Sequence, residues 1–435
     1  MHIPGQILRR RRSRKFRPAC DRLDELCLLS GLTPAQVTSA YALNAISFAS
    51  SSGLAVKGDG SGETIALIEA YHDPTIASDL QTFDATFGLP NPSLTVVDQA
   101  GQASDDGWAL EESLDVEWAH AIAPGANILV VEASSQSLPA LVSAVNTARN
   151  TPGVVTISMS WGFTEFRKET SYNSIFTTPS GHAGITFVAA SGDNGPSGGP
   201  EWPSTVPTVL AVGGTSLYVD SDGNYLIELP WAGSSGGYSR IEPEPGFQRS
   251  VQGTGSKSTP DVAFDGDPNT GVLVFQTSIE TGLGSWEIVG GTSLGTPAWA
   301  AIVAIADQGR NLAGKGSLDG GTQTLPALYA LPSSAFNVVV GASGDRGRVS
   351  AAATANTFTG RGTPVGSAVV AGLVAENSAV PLTTSTAVQR SVKRNVRARA
   401  RKLTALAIKE TTAVFHTSGS RRAVAKVETQ HRYTL

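Results

Sequence analysis

The sequence has few of the residues on which several common classes of site depend. Only 2 of its 435 residues are cysteines, Cys20 and Cys27, and their spacing matches neither a zinc-binding pattern nor a disulfide framework. Charged residues make up 16% of the chain, and no apolar run approaches the length of a transmembrane helix. These shortages argue against a disulfide scaffold, a cysteine-based zinc site and membrane insertion.

Acidic charge is scarce at both ends of the chain and concentrated in the middle. Residues 1–30 hold 8 Lys and Arg against 3 Asp and Glu, and residues 386–435 hold 12 against 2. The region between them has a net charge of −20, although the whole chain carries only −5. Carboxylates at this density repel one another at neutral pH and are relieved by protonation. The central region is therefore suited to acidic surroundings, or it has simply a soluble acidic surface.

The basic ends divide the chain into three regions. Residues 1–30 contain the basic run Arg9–Arg17, followed by the apolar stretch Leu23–Ser30. This stretch is too short for a standard signal peptide, but it resembles a short N-terminal motif of exported bacterial proteins. A nucleic-acid-binding patch is the alternative. We expect a disordered segment over 1–30, a folded domain over 31–375 and a flexible basic extension over 376–435, in a secreted or cell-surface protein.

Apolar, β-rich runs alternate with helical patterns in the central region. Five runs predict strands buried on both faces: Ile65–Glu69, Asn127–Glu132, Val154–Ser158, Ile185–Ala190 and Val209–Gly213. Helical patterns cover 75–87, 111–122, 138–149 and 297–309. This alternation predicts an α/β fold with a parallel sheet and helices on both faces. Ligands in such folds bind at the carboxyl ends of the strands, where the loop Ser191–Gly195 falls.

Two carboxylates fall on the apolar stripe of the helix predicted over 111–122. At about 100° per residue, Glu111 and Asp115 lie on the same side as Trp118. Two carboxylates on a buried stripe would repel and lose solvation unless they shared a proton. Such pairs are how proteins make acids and bases with displaced pKa values. The other polar residues are expected to form a solvated face: Glu112, Ser113, Glu117 and His120.

A serine lies in the glycine-rich turn Gly290–Pro297, just before a predicted helix. Pro297 suits the first position of that helix, where its missing N–H costs nothing. Ser293 would then lie ahead of a helix N-terminus, whose partial positive charge favours an oxyanion. A Ser-His-Asp hydrolase also needs an imidazole base, and of six histidines only His72 has a position that suits this role. A carboxylate base is the better hypothesis.

Between Leu32 and about Leu373 the sequence resembles the sedolisin family of serine-carboxyl peptidases. Members of this family have a subtilisin-like fold in which a glutamate replaces the histidine base. The matching segments occur in family order: Glu111–Asp115 followed by Ala123–Ala126, then Ser158–Gly162, Ala190–Asp193, Ala211–Thr215, Pro260–Val262 and Gly291–Ser293. Each segment alone is weakly specific, and together they are highly specific.

The resemblance assigns a role to each matching residue. It implies that Ser293 is the nucleophile, that Glu111 is its general base and that Asp115 shares and orients the proton of Glu111. Asp193 would complete the oxyanion hole. The remaining matches are supporting positions: Glu69 and Trp161 in the hydrogen-bond network, and Ser235, Gly236 and Gly237 beside the specificity pocket.

The calcium site of the family is altered in this sequence. Its two aspartates correspond here to Asn337 and Asn356, and its glycines to Ala352 and Thr354. Calcium gains most from charged oxygens, so we expect it to bind weakly or not at all. We expect the amides of Asn337 and Asn356 to hold this loop by hydrogen bonds instead. No other cofactor and no further metal site is predicted.

The sequence therefore predicts an acid-acting endopeptidase that cleaves proteins or peptides through an acyl-enzyme. The alternative is a catalytically silent domain of the same family, used for binding at the cell surface. A third hypothesis, nucleic-acid binding by the basic ends, is opposed by the charge of −20 and by the lack of aromatics among the basic residues. We expect a monomer that binds no nucleic acid and inserts into no membrane.

Overall fold

The computed structural model describes residues 31–49, 53–341 and 356–376. The expectations for the N-terminal segment, with both cysteines, and for the C-terminal extension fall on residues outside these ranges. Among the described residues, no helix combines the length and the apolar character that crossing a membrane would require.

The described residues form seven α-helices. They are α1 (Pro34–Ala40), α2 (Ile76–Phe87), α3 (Asp106–Ile122), α4 (Leu138–Arg149), α5 (Thr292–Leu312), α6 (Leu325–Ala330) and α7 (Gly366–Val374). Helix α3 begins earlier than the expected residue 111 because Asp105 caps it. The Asp105 carboxylate accepts hydrogen bonds from the backbone N–H groups of Gly107 and Trp108, at 3.0 and 3.1 Å.

The strands of the described residues are numbered in chain order. They are β1 (Ser47–Ala49), β2 (Ala55–Lys57), β3 (Thr64–Ala70), β4 (Leu94–Asp98), β5 (Asn127–Ala133), β6 (Val154–Met159), β7 (Phe163–Thr164), β8 (Thr186–Ala190), β9 (Glu201–Trp202), β10 (Val209–Val219), β11 (Tyr225–Pro230), β12 (Gly237–Pro243), β13 (Ser256–Thr259), β14 (Val262–Asp265), β15 (Val272–Thr277), β16 (Gly284–Val289), β17 (Phe336–Asn337) and β18 (Thr363–Pro364). All five expected strands are present, as β3, β5, β6, β8 and β10.

Eight of these strands form the main sheet. Its order is β11-β10-β8-β6-β3-β5-β4, and β14 also pairs with β10. Every pairing is parallel except that of the edge strand β11. The predicted α/β fold with a central parallel sheet is therefore confirmed, with β4 and β14 as parallel strands that the sequence analysis did not identify.

Alternate residues of the sheet face two separate cores. In β3, Ile65 and Leu67 belong to the core that contains α3 and α5, whereas Ala66 and Ile68 belong to the core that contains α4. This alternation follows from the two-residue repeat of a strand. Helices therefore cover both faces of the sheet, and α3 and α5 pack against each other on one of them.

The prediction that one face of α3 is exposed to solvent is wrong. Every residue from Trp108 to Ile122 is buried, because helix α2 and strand β15 pack on the side away from the sheet. Glu117 accepts a hydrogen bond from the backbone of Phe275 in β15 at 3.1 Å. The ring of His120 contacts the carbonyl oxygen of Pro90 at 2.6 Å and lies 3.3 Å from the carboxylate of Asp84.

The position expected for Pro297 is also wrong. Helix α5 begins at Thr292, so Pro297 lies inside the helix and Ser293 is its second residue. Because proline has no N–H, the carbonyl oxygen of Ser293, four residues earlier, receives no helical hydrogen bond from it. The hydroxyl of Ser160 lies 3.3 Å from that oxygen. The proline therefore leaves a carbonyl in the first turn of α5 open to a side chain of the β6–β7 loop.

Candidate active site

The first turn of α5 brings Ser293 to the middle of α3. The Ser293 hydroxyl makes a hydrogen bond with the carboxyl group of Glu111, and both side chains are buried. Asp115 lies one turn along α3 from Glu111, and the two carboxyl groups interact electrostatically. The structure thus brings together the serine and both carboxylates that the sequence analysis singled out.

A third carboxyl group extends this cluster into the sheet. Glu69, near the end of β3, is fully buried and forms a side-chain hydrogen bond with Asp115. Oδ2 of Asp115 accepts a 2.7 Å hydrogen bond from the Ser160 hydroxyl. A bond between two carboxyl groups requires that they share a proton. Asp115 is therefore held by Ser160 and lies against Glu69, and the two carboxyl groups can stay in contact while one of them is protonated.

Burial is the largest influence on the pKa of each group in this cluster. It raises the pKa of Asp115 to about 8, against the opposing hydrogen bonds of Ser160 and Glu69. Burial also raises the pKa of Glu111 well above its usual range; the charge of Asp115 adds to this rise, and the Ser293 hydroxyl opposes it. The pKa of Glu69 is raised by burial and by both neighbouring carboxylates. These groups can therefore hold protons at a pH where exposed carboxyl groups have lost them.

Asp193 contacts Thr292, the first residue of α5. Its Oδ1 accepts hydrogen bonds from the backbone N–H of Thr292 at 2.8 Å and from the Thr292 hydroxyl at 2.7 Å. Burial raises the pKa of Asp193, and both hydrogen bonds oppose the rise. Gly291 has a φ of 118°, and a Cβ there would lie 2.7 Å from Asp193 Oδ2. Only a glycine at position 291 therefore leaves room for the carboxyl group of Asp193.

The segment Ser235–Gly237, which is predicted to border the specificity pocket, holds the loop that carries Asp193 in place. Ser235 is fully buried; its backbone N–H donates to Gly192 at 2.8 Å, and its carbonyl accepts from the Ser191 hydroxyl at 2.8 Å. The Ser235 hydroxyl accepts from the Asn194 backbone at 2.9 Å. Gly236 and Gly237, which have no side chains, come next and are half-buried. The hydroxyl of Ser235 is thus occupied in positioning the loop that carries Asp193.

Trp161 supports the cluster from behind the sheet. Its indole N–H donates a 3.1 Å hydrogen bond to the carbonyl oxygen of Ile68, the residue before Glu69. Its ring packs against Phe163 and Trp202. Trp161 therefore holds the strand that carries Glu69 through the backbone of that strand.

Glu201 is a carboxyl group beside the site that the sequence analysis did not single out. A Cβ added at Gly162 or at Gly192 would lie only 2.6 Å from an oxygen of Glu201. The Asn194 amide donates to Glu201 at 2.9 Å. Burial raises the pKa of Glu201 to about 7, and the charge of Asp193 adds to the rise. No periodic pattern marks this residue, because only tertiary folding brings the short strand β9 beside the loop that carries Asp193.

The histidines that the structure describes stand apart from Ser293. His72 contacts Glu132 at 2.8 Å, His120 lies beside Asp84, and His182 contacts two backbone carbonyl oxygens. The side chain that makes a hydrogen bond with the serine is the carboxyl group of Glu111. This geometry favours a carboxylate base, as the sequence analysis expects.

The residues at the family's calcium position do not fit a calcium site. Asn337 donates to the Pro364 carbonyl at 3.1 Å. The side-chain oxygen of Asn356 accepts from the backbone N–H groups of Phe358 and Thr359 at 2.8 and 2.9 Å. The amides thus make the expected hydrogen bonds and present no charged oxygen. Ala352 and Thr354 lie outside the described residues.

The chain is similar to known serine peptidases. The sequence pattern of the subtilase family matches residues 100–317. Kumamolisin from Bacillus sp. (strain MN-32) is 32% identical over 350 residues, which cover 71% of this chain and 59% of kumamolisin. Sedolisin from Pseudomonas sp. (strain 101) is 29% identical over 277 residues, 55% of this chain and 46% of sedolisin. The chain thus spans about half the length of these relatives.

A solved structure has a similar fold. It is Pseudomonas sedolisin (serine-carboxyl proteinase) complexed with two molecules of pseudo-iodotyrostatin, with a TM-score of 0.65 and 26% identity. The similarity covers 78% of this chain and 97% of that one.

The raised pKa values predict that the fold is most stable in acid. Burial raises the pKa of Asp73 to about 6, of Glu201 to about 7 and of Asp115 to about 8. The same groups in the unfolded chain have pKa values of about 4. Between about pH 5 and about pH 8 the folded state therefore holds more protons than the unfolded state, and the free energy of unfolding should fall as pH rises through this range.

This dependence can be measured by urea unfolding at several pH values, with Ser293→Ala protein to exclude self-digestion. Glu112→Gln is the matched control, because burial raises the pKa of Glu112 well above its usual range and glutamine stays neutral. Its loss of stability toward alkaline pH should be smaller than that of the parent. An unfolding free energy that stays constant or rises with pH contradicts the interpretation.

Calcium should bind weakly or not at all, because two amides replace the family's two carboxylates. Elemental analysis of the purified protein should find no bound calcium, and a chelator should leave the melting temperature unchanged. One tightly held calcium per chain, with a marked fall in melting temperature on its removal, would refute this prediction.

Proposed function

Because the chain belongs to the sedolisin family of serine-carboxyl peptidases, we propose that it is an acid-acting endopeptidase that hydrolyses peptide bonds through an acyl-enzyme on Ser293. The observation that carries this proposal is the hydrogen bond between Ser293 and the buried carboxyl group of Glu111. The bond joins a nucleophile to a base inside a cluster of carboxyl groups whose pKa values are raised.

In the first step, the Ser293 oxygen attacks the scissile carbonyl carbon and Glu111 takes the hydroxyl proton. Glu111 then gives this proton to the leaving amine, and the C–N bond breaks to leave an ester on Ser293. Water repeats the sequence: Glu111 takes its proton, the ester breaks, and the proton returns to Ser293. Glu111 thus ends each cycle in its starting state.

Asp115 and Glu69 are the groups that let Glu111 accept a proton in a buried site. Glu111 must be ionised to act as a base, and its negative charge is tolerated only if neighbouring carboxyl groups hold protons. The contacts of Asp115 with Ser160 and Glu69 fix its carboxyl group beside Glu111. We propose that this group shares and orients the proton of Glu111.

Asp193 is proposed to stabilise the oxyanion. A carboxyl group can donate a hydrogen bond there only while it is protonated, and the raised pKa of Asp193 favours that form in acid. Its Oδ1 is engaged by Thr292, which leaves Oδ2, on the side of Gly291, to carry the proton. The backbone at the N-terminus of α5 adds a partial positive charge.

The substrates are proposed to be proteins or peptides, bound as extended segments along the half-exposed Gly236 and Gly237. The acidic central region suits an acidic compartment outside the cytoplasm, so we propose a secreted or cell-surface enzyme that acts as a monomer. A catalytically silent binding domain is the second candidate, and the retained set of Glu111, Asp115 and Ser293 opposes it.

Removing any member of the central set should abolish peptidase activity. Ser293→Ala, Glu111→Gln and Asp115→Asn should each lower kcat by about 10⁴-fold or more, because such groups act as one unit. The assay is digestion of a denatured protein in acid, with products identified by mass spectrometry. Glu117→Gln is the control, since Glu117 is buried on the same helix but bonds to β15. It should retain most of the activity; near-normal turnover by any of the three variants contradicts the assignment.

Activity should be highest in acid and fade toward neutral pH, because Asp193 and the Glu111–Asp115 pair must hold protons. Asparagine donates a hydrogen bond at any pH, so Asp193→Asn should keep part of the activity and flatten the alkaline limb of the pH profile. The measurement is kcat/KM against pH for both proteins. An activity maximum near pH 8, or the same alkaline limb in the variant, would count against the role of Asp193.

A further inference from the structure

A second cluster of ligating side chains lies where three neighbouring strands end. Strand β5 pairs with β3 on one side and with β4 on the other, and its register places Glu132 between Glu69 and Asp98. His72 follows shortly after the end of β3. Because parallel strands end at the same edge of the sheet, His72, Asp98 and Glu132 meet there.

These three side chains form a set of donors with the spacing of a metal site. One ligand atom from each lies within 4.8 Å of the other two. The His72 Nδ1 atom is 2.8 and 3.0 Å from the two carboxylate oxygens of Glu132. The Asp98 carboxylate is positioned by the backbone N–H groups of Ala100 and Gly101, both 2.7 Å from Oδ1. An ion can enter from solvent, since Asp98 is exposed and the His72 side chain is 32% exposed.

Two buried carboxyl oxygen atoms near His72, Asp98 and Glu132 lack a hydrogen-bond partner. Asp73 Oδ2 and Glu112 Oε1 have no hydrogen-bond donor, although both residues are at least 98% buried. Asp73 is next to His72, and its backbone N–H donates to Glu132 at 3.1 Å. Burial raises the pKa of Glu112, and the charges of Glu132 and Asp73 add most to this rise. The carboxyl groups of Asp73 and Glu132 therefore act both on the carboxyl group of Glu112 and on the imidazole of His72.

We propose that His72, Asp98 and Glu132 bind a divalent transition-metal ion of the zinc class. One imidazole nitrogen with carboxylate oxygens is a donor set that suits zinc better than calcium or magnesium. The ion would replace the proton between His72 and Glu132, and its charge would offset the crowded carboxylates of Asp73 and Glu112. It would join the ends of β3, β4 and β5. The site is separate from Ser293, and the proposal does not depend on the peptidase activity.

The proposal predicts one bound zinc ion that depends on His72. Equilibrium dialysis of the full chain against Zn²⁺ is done at about pH 7.5, where the imidazole can lose its proton, with excess Mg²⁺ present. His72→Gln should remove one bound zinc per chain. Asp98→Asn, at an exposed position, should weaken binding by at least about tenfold, since even an outer-shell partner is worth that much. Zinc should also raise the melting temperature of the parent protein and of neither variant.

His182→Gln is the matched control, because His182 is a partly exposed histidine whose ring contacts only backbone carbonyl oxygens. This variant should bind as much zinc as the parent protein. Zinc bound by residues elsewhere in the chain stays the same in all four proteins, so only the difference between them counts. Equal zinc binding by the parent, His72→Gln and Asp98→Asn proteins overturns the proposal. A parent protein that binds no zinc overturns it as well.

Discussion

The structure depends on carboxyl groups that are buried together and must share protons. Glu69, Glu111 and Asp115 lie in the core between the sheet and helix α3, and no lysine or arginine pairs with them in the described part of the chain. Desolvation and mutual repulsion would make three ionised groups very costly there. The cluster is tolerable only when it holds protons, and this requirement links the stability of the fold to the chemistry that we propose for it.

The sheet and two helices position the residues of the candidate site. Strand β3 delivers Glu69, helix α3 presents Glu111 and Asp115 one turn apart, and the first turn of α5 places Ser293 against Glu111. Because α3 and α5 pack against each other on one face of the sheet, these contacts form as the core forms. The serine and the three carboxyl groups of the cluster therefore lie on regular elements, whereas Asp193 comes from a loop that Ser235 holds in place.

The sequence predicted the elements well and their surroundings less well. Alternating apolar runs identified five strands, and the misplaced carboxylates of the 111–122 helix identified two members of the cluster. Helical periodicity could not show what packs on the far side of α3, so the burial of Glu117 and His120 was missed. A proline is allowed both at the start of a helix and within its first turns where a carbonyl finds another donor, which is why Pro297 was misplaced. Glu201 and the His72–Glu132 contact arise from tertiary folding, for which local patterns carry no signal.

The central claim is that Ser293 becomes acylated with Glu111 as its base. The most direct measurement is to mix the protein with a peptide ester in acid, quench it by strong acid within the first turnovers, and map the modified peptide by mass spectrometry. The account predicts an acyl group on Ser293 and a large fall in its rate of formation in Glu111→Gln protein. Cleavage of the ester with no acyl group on Ser293, or with the acyl group on another residue, would contradict it.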